Sequence, residues 1–258
     1  MFDSQVSGLA NQFPYDADAR NEPLPFTIRL VSDESALQKA VKVRHSAYAR
    51  HVPDLAATMI APESYDAEPG TVVLLAESRF DGQPLGTMRI ATNRFKPLTL
   101  ESSVDLPTPY RGASLATAAR LGVALGRVGA PVKTALFKAY YAYCVAQGID
   151  WMVIAARRPL DRQYSALLFH DIFPERGFIP LAHAQNIPHR LLALDVAAVK
   201  GQWARAGHPL YDYIYRTVHA DIRVDAAQIF AVEEKVTERI TRESQALMRS
   251  LSERGASH

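Results

Sequence analysis

The stretch from Leu115 to Arg157 limits the possible folds more than any other part of the chain. "LATAARLGVAL" reads as a strand and breaks at Gly126-Arg127-Val128-Gly129-Ala130-Pro131. From Val132 to Gln147 the apolar positions Val132, Leu136, Tyr140 and Cys144, with their i+3 neighbours, form one stripe, so a helix is expected there, ended by Gly148. "WMVIAAR" then runs almost without polar interruption, the pattern of a strand buried on both faces of a parallel pairing. The turn between the first strand and the helix has two readings: plain punctuation, or a cradle for phosphate at a helix start.

The flanking elements extend this unit. "FTIRLVS" alternates as a half-buried strand, and Asp33-Glu34-Ser35 caps an amphipathic helix carrying Leu37, Val41, Arg44 and Tyr48 that ends before Pro53. A polar loop with "PESYD" precedes "TVVLLAESRF-DG-QPLGTMRIA", two strand-like runs joined by a turn-compatible Asp81-Gly82. After the apolar strand, helix-like "LDRQYSALLF" is followed by strand-like "GFIPLAH" and "HRLLALDV". Residues 1–25 read as an irregular arm, 26–196 as the domain proper, and 197–258 as a helical extension in which "VKGQWARAG" and "HPLYDYIYRTVHADI" form short helices. In its charged tail Ile229, Val232, Val236, Ile240, Leu247 and Leu251 form a stripe suited to an intramolecular contact, a homodimer contact or a membrane surface.

Bulk properties exclude several classes. With 258 residues, 48% hydrophobic and 22% charged, the chain has globular composition, and a formal net charge of +2 does not make a nucleic-acid footprint. No apolar stretch is long enough to span a bilayer and the N-terminus lacks a leader pattern, so a cytoplasmic protein is expected. Cys144 reads as a buried hydrophobe, and the scattered histidines lack metal-ligand spacing, so no metal site is expected. Hydrolase elbow, P-loop and zincin motifs are absent.

The order of elements, with a glycine-containing turn between central strand and helix, resembles the GNAT-type acyltransferases: an α/β fold with a mixed twisted sheet and flanking helices. Within them the chain is similar to the branch shared by long-chain N-acyl amino acid synthases and the autoinducer synthases that make acyl-homoserine lactones. The resemblance rests on Arg44 and Tyr48 of "VRHSAY", Glu63 and Asp66 of "ESYD", Arg89 of "GTMRI", and Arg120 of "AARLGV". Autoinducer synthases carry Glu three residues before the central-strand Arg, where this chain has Thr117, and a Trp where it has Asp54. "DRQYSALLF…FPERGFIP" is closer to the N-acyl amino acid synthases.

The resemblance implies an N-acyltransferase moving a fatty acyl group from acyl carrier protein or CoA to the amine of an amino acid, with no resident cofactor. A lactone-type autoinducer synthase and a non-catalytic acyl- or carrier-binding protein are the alternatives. Arg44, Arg89 and Arg120 offer forked guanidiniums to the acceptor's carboxylate, or ion-pair with Glu63, Asp66 or Glu77. Glu63, Asp66 and Glu101 are the candidate bases, and Tyr164 the candidate acid for the departing thiolate. Val123, Leu125, Arg127, Gly129 and Lys133 are the candidate donor-binding residues, through backbone N–H groups, a helix start and charge. Phe137, Tyr140, Tyr141, Phe169, Phe173 and Phe178 either line an acyl tunnel or form plain core.

Overall fold

The computed structural model describes residues 13–224 and 227–232 and, singly, 234, 238, 241, 242 and 245. The principal elements are β1 (Phe26–Leu30), α1 (Glu34–Ala49), β2 (Thr71–Ser78), β3 (Pro84–Thr92), β4 (Leu115–Val123), α2 (Gly129–Ala146), β5 (Trp151–Ala156), α3 (Leu160–Ala166), β6 (Pro188–Asp195) and α4 (Val199–Ala206). Sheet order is Ile222–Arg223, β1, β2, β3, β4, β5, β6, then His170–Asp171, with Ile179–Pro180 also pairing β6. β1 to β4 are antiparallel neighbours, β4 and β5 are parallel, and β6 returns antiparallel to β5.

Local chemistry explains the elements. The Asp33 carboxylate accepts the Ala36 N–H at 2.8 Å and starts α1. Gly82, at φ +68°, closes the hairpin between β2 and β3. The helix after the glycine turn begins at Gly129 rather than Val132, because Pro131 fits the first turn, where no N–H is required.

Alternation along the strands assigns each face a cover. Ile28, Leu74, Ile90, Ala116 and Met152 meet Val132, Leu136, Tyr140 and Cys144 of α2 in the main core, which Trp203 and Tyr215 complete. On the opposite face Val73 and Leu75 pack on Ala36 and Ala40 of α1. The β5–β6 half of that face is covered by irregular chain instead, with Leu98, Leu100, Leu106 and Leu181 packed on Val153 and Leu191.

The two ends of the chain depart from expectation. "HPLYDYIYRTVHADI" is not a helix but a π-helical turn, Asp212–Arg216, followed by strands Thr217–Val218 and Ile222–Arg223. The arm is tied down through Arg20–Asn21, parallel to Thr217–Val218. Tertiary pairing overrides helical periodicity here because an open edge of β1 is available to Ile222–Arg223. Of the tail stripe, Ile229 and Val232 are buried in the main core, and Val236, Ile240, Leu247 and Leu251 lie outside the described residues.

Candidate active site

The parallel pair β4–β5 is short. Leu115 pairs Trp151, Ala116 pairs Met152 and Thr117 pairs Val153, and there the pairing stops. β4 continues to Val123 against β3 alone, and β5 to Ala156 against β6 alone, so the strands part and leave a cleft.

A polar cluster lies on the α1 face beside this opening. Arg44, fully buried in α1, donates Nη1 and Nη2 to the two oxygens of Asp66 at 2.9 and 2.8 Å, and Nη1 also reaches Glu63 Oε2 at 3.0 Å. Arg89 Nη1, from β3, reaches Glu63 Oε2 at 3.2 Å and Asp66 Oδ1 at 3.3 Å. Arg120, from β4, is bidentate on Glu63, with Nε to Oε2 at 2.8 Å and Nη2 to Oε1 at 2.7 Å. The two carboxylates are fixed by their own short helix, Ser64–Ala67, where Asp66 Oδ2 accepts the Glu63 N–H at 2.9 Å in a capping box.

Arg120 reaches Glu63 through an irregularity. Between the pairs Thr87–Gly122 and Arg89–Ala119, β4 has two residues opposite one on β3, a bulge, and Arg120 sits in it at φ +56°. Thr117, on the same face as Ala119 by alternation, ends the β4–β5 ladder.

The charges decide what the cluster can do. Burial would raise the Glu63 pKa, but the hydrogen bond and charge of Arg120, with Arg89 and Arg44, hold it below the ordinary carboxylate range. Asp66 behaves alike: burial opposes ionisation, and Arg44 together with the Glu63 backbone N–H and Arg89 overcomes it. Both acids are therefore anions and weak bases. Three guanidiniums face two carboxylates, and among the described residues Arg120 Nη1 and Arg89 Nη2 donate to no protein acceptor, so the cluster keeps one surplus positive charge with free donors.

The remaining candidates distribute around the cleft or away from it. Tyr164 is half-buried on α3, 5.6 Å from the Phe169 ring, its phenol pushed up to about 12 by burial and by neighbouring Tyr48. Glu101 stands apart: its carboxylate accepts the Leu98 N–H at 2.7 Å and serves the short helix Thr99–Ser102 under the irregular cover. Glu77 pairs with Arg29 and Lys39, not with the three arginines.

At the glycine turn the Val123 carbonyl accepts Arg50 Nη2 at 2.9 Å, the Ala124 N–H is taken by Leu85, and Leu125 is 75% exposed. Gly129 N–H bonds Gly126 O, whereas the N–H groups of Arg127, Val128 and Ala130 have no backbone acceptor among the described residues. Arg127 is exposed, and Lys133 reaches across to Gln163 of α3 at 2.9 Å. The aromatic residues do not line one tunnel: Phe137, Tyr140, Tyr141 and Phe169 belong to the main core, Phe173 to the second core, and Phe178 lies under Arg158.

Sequence reasoning missed Tyr65, whose ring lies 5.1 Å from the Arg89 guanidinium and 4.4 Å from Lys96 Nζ, and Arg50 on the turn. The residue pattern "ESYD" contained Tyr65, but its stacking depends on the arrangement of β3. Among the described residues no group of three His, Cys, Asp or Glu has metal-binding geometry, and no helix is long and apolar enough to cross a membrane.

Neither the protein-family models nor the curated proteins match this sequence. Solved structures do match. The structure of FeeM, an N-acyl amino acid synthase from uncultured soil microbes, is similar at a TM-score of 0.55 and 19% identity, over 70% of this chain and 96% of that one. BjaI, a CoA-dependent acyl-homoserine lactone synthase solved with SAM and isopentyl-CoA, is 18% identical over 80% of this chain and 98% of that one, with a TM-score of 0.49.

Proposed function

We propose, from the GNAT-type acyltransferase fold that this chain has, that it transfers an acyl group from a pantetheine thioester to the amine of an amino acid. The observation that carries this reading is the arginine cluster with surplus charge beside the parting strands. An amino-acid acceptor brings a carboxylate for the free donors of Arg89 and Arg120, and an ammonium that the partly exposed Glu63 anion orients, Asp66 being fully buried behind it. Because both anions are weak bases, the ammonium proton leaves to water, and the amine attacks the thioester carbonyl. The C–N bond forms and the C–S bond breaks; Tyr164, protonated at neutral pH, gives its proton to the departing thiolate and regains one from the proton that the attacking nitrogen sheds through water as the amide forms.

The donor arm would enter between β4 and β5, with unpaired strand backbone available to its amides. Free N–H groups at the start of α2, with Arg127 and Lys133, support holding a phosphate of CoA or acyl carrier protein. Thr117 in place of a glutamate favours an acceptor other than that of the autoinducer synthases.

The test is to incubate purified protein with long-chain acyl-CoA or acyl carrier protein and each amino acid in turn, measuring free thiol and N-acyl product by mass spectrometry. Product with at least one amino acid is expected. Intact thioesters throughout, with saturable carrier binding, would instead establish the binding-protein alternative.

A further inference from the structure

The chemistry above sends the ammonium proton to water, and His189 of β6 is placed to receive it. Its neighbour Arg190 points to the α3 face, where it ion-pairs with Asp171 and lies 4.0 Å from Asp161. By alternation His189 projects to the other face of the sheet, with Leu191 and Ala193, the face that α1 and the arginine cluster occupy. Ala193 pairs Val153, and His189 stands four residues from it toward the open side of the fork, level with the parted stretch of β4 and β5. Arg157, one step past the last β5–β6 pair, Ala156–Arg190, continues the same alternation, and its guanidinium bonds only the Arg158 carbonyl, at 3.4 Å.

The state of the His189 ring follows from its partner. Nδ1 lies 2.6 Å from the Ile187 carbonyl oxygen, which can only accept, so Nδ1 carries the hydrogen. Nε2 has no hydrogen-bond partner among the described residues. Burial and the charge of Arg157 hold the ring's pKa below 6.5, against the Ile187 bond, so it is neutral at pH 7 with a free lone pair on Nε2. Arg157 is the charged group that faces it from β5; the strand Ile179–Pro180, paired on the far edge of β6, presents none. The charge of Arg157 acts on Tyr48 too, one turn along α1 from Arg44, which ties this wall of the cleft to the cluster.

We infer that His189 Nε2 is the base that takes the acceptor's ammonium proton, through water, before the amine attacks the thioester. An N–H bond of the ammonium breaks, water passes the proton to Nε2, and the imidazolium returns it to solvent beside exposed Pro188 before the next turnover. The step rests on the acyltransferase reading; the tautomer of the ring does not.

The experiment compares wild type with His189→Asn, whose amide can still donate to Ile187, by the pH dependence of kcat/KM for the amino acid, beside NMR of the wild-type ring nitrogens. With the base in place the profile is expected to stay flat from pH 7 to pH 9. Without it only acceptor that is already deprotonated reacts, so the variant should start about a hundredfold lower at pH 7 and gain about tenfold per pH unit, its thioester KM unchanged. Parallel profiles, an unchanged rate at pH 7, or a ring that carries its hydrogen on Nε2 overturns the inference. If the variant does not fold, the wild-type profile decides, since a rise of about tenfold per pH unit there removes the base. Should wild type turn nothing over with any amino acid, the acyltransferase reading fails and this step falls with it, whatever the tautomer.

Discussion

Arg120 combines two costs in one position: a left-handed backbone and a bidentate ion pair. Arg120→Ala is expected to keep the fold and lower kcat/KM for the amino acid by about a hundredfold or more, checked by product formation beside a thermal melt. Arg120→Gly relieves the positive φ and should melt above Arg120→Ala by roughly 1 kcal/mol of stability while being equally inactive; equal melts would show that the bulge is unstrained. Glu63 and Asp66 add a pH signature. Their folded-state pKa values lie below the ordinary 4.5 and 3.8, so the stability they contribute is present above those values and is lost as pH falls through the depressed folded values. Melts of wild type from pH 6 down to pH 3 should fall more steeply than those of Glu63→Gln, which itself starts lower by roughly 3 kcal/mol because a buried charge loses its partner. These residue types and their order were legible in the sequence. That all three arginines converge on the same two carboxylates was not, since 57 residues separate Glu63 from Arg120.

Glycines set how closely the elements approach the site. A Cβ on Gly122 would stand 3.0 Å from Ala47 Cβ and 3.2 Å from Arg44 Cα, so its absence lets α1 close on β4 and brings Arg44 next to Arg120. Gly122→Val should push α1 outward; the expected result is a melt lowered by roughly 1–3 kcal/mol and a raised amino-acid KM. A KM equal to wild type would separate helix seating from the site. The turn before α2 is argued at the same scale. Arg127→Ala with Lys133→Ala, both exposed, should leave the melt in place and raise the donor KM several-fold, more at low salt than high, in kinetic runs with acyl-CoA and acyl carrier protein. Strand and helix periodicity revealed these elements because each buries one face. The short strands after Tyr215 escaped detection because their pairing partners, Arg20–Asn21 and β1, lie nearly 200 residues away.

Over the whole molecule, the segments Phe13–Tyr15 and Tyr213–His219 meet at Lys138 of α2. Its ammonium, 1% exposed, donates to the carbonyls of Tyr213, at 2.8 Å, and Thr217, lies 3.1 Å from His219 Nδ1, and faces the rings of Phe13, Tyr15 and Tyr213. Burial pushes its pKa down from 10.5 to about 7, partly countered by Glu22. Between those values the unfolded chain binds the extra proton, so this lysine's contribution to stability rises with pH across that window. Chemical denaturation of wild type and Lys138→Met should therefore show a stability difference that shifts in favour of wild type from pH 7 to pH 10. A flat difference would mean that the lysine keeps its proton in the fold.

The sequence by itself determined the order of the principal strands and helices from Phe26 to Ala206, the glycine turn, the resemblance to acyltransferases and the identity of the charged residues, because periodicity and residue chemistry are local properties. Only the tertiary structure decided that Glu101 serves a separate short helix, that the aromatic residues fill cores instead of one tunnel, and that β4 and β5 part after Thr117. Each of those depends on which distant segment supplies a hydrogen-bond partner or a packing surface. Cross-strand register and burial create that information; no single stretch of sequence contains it.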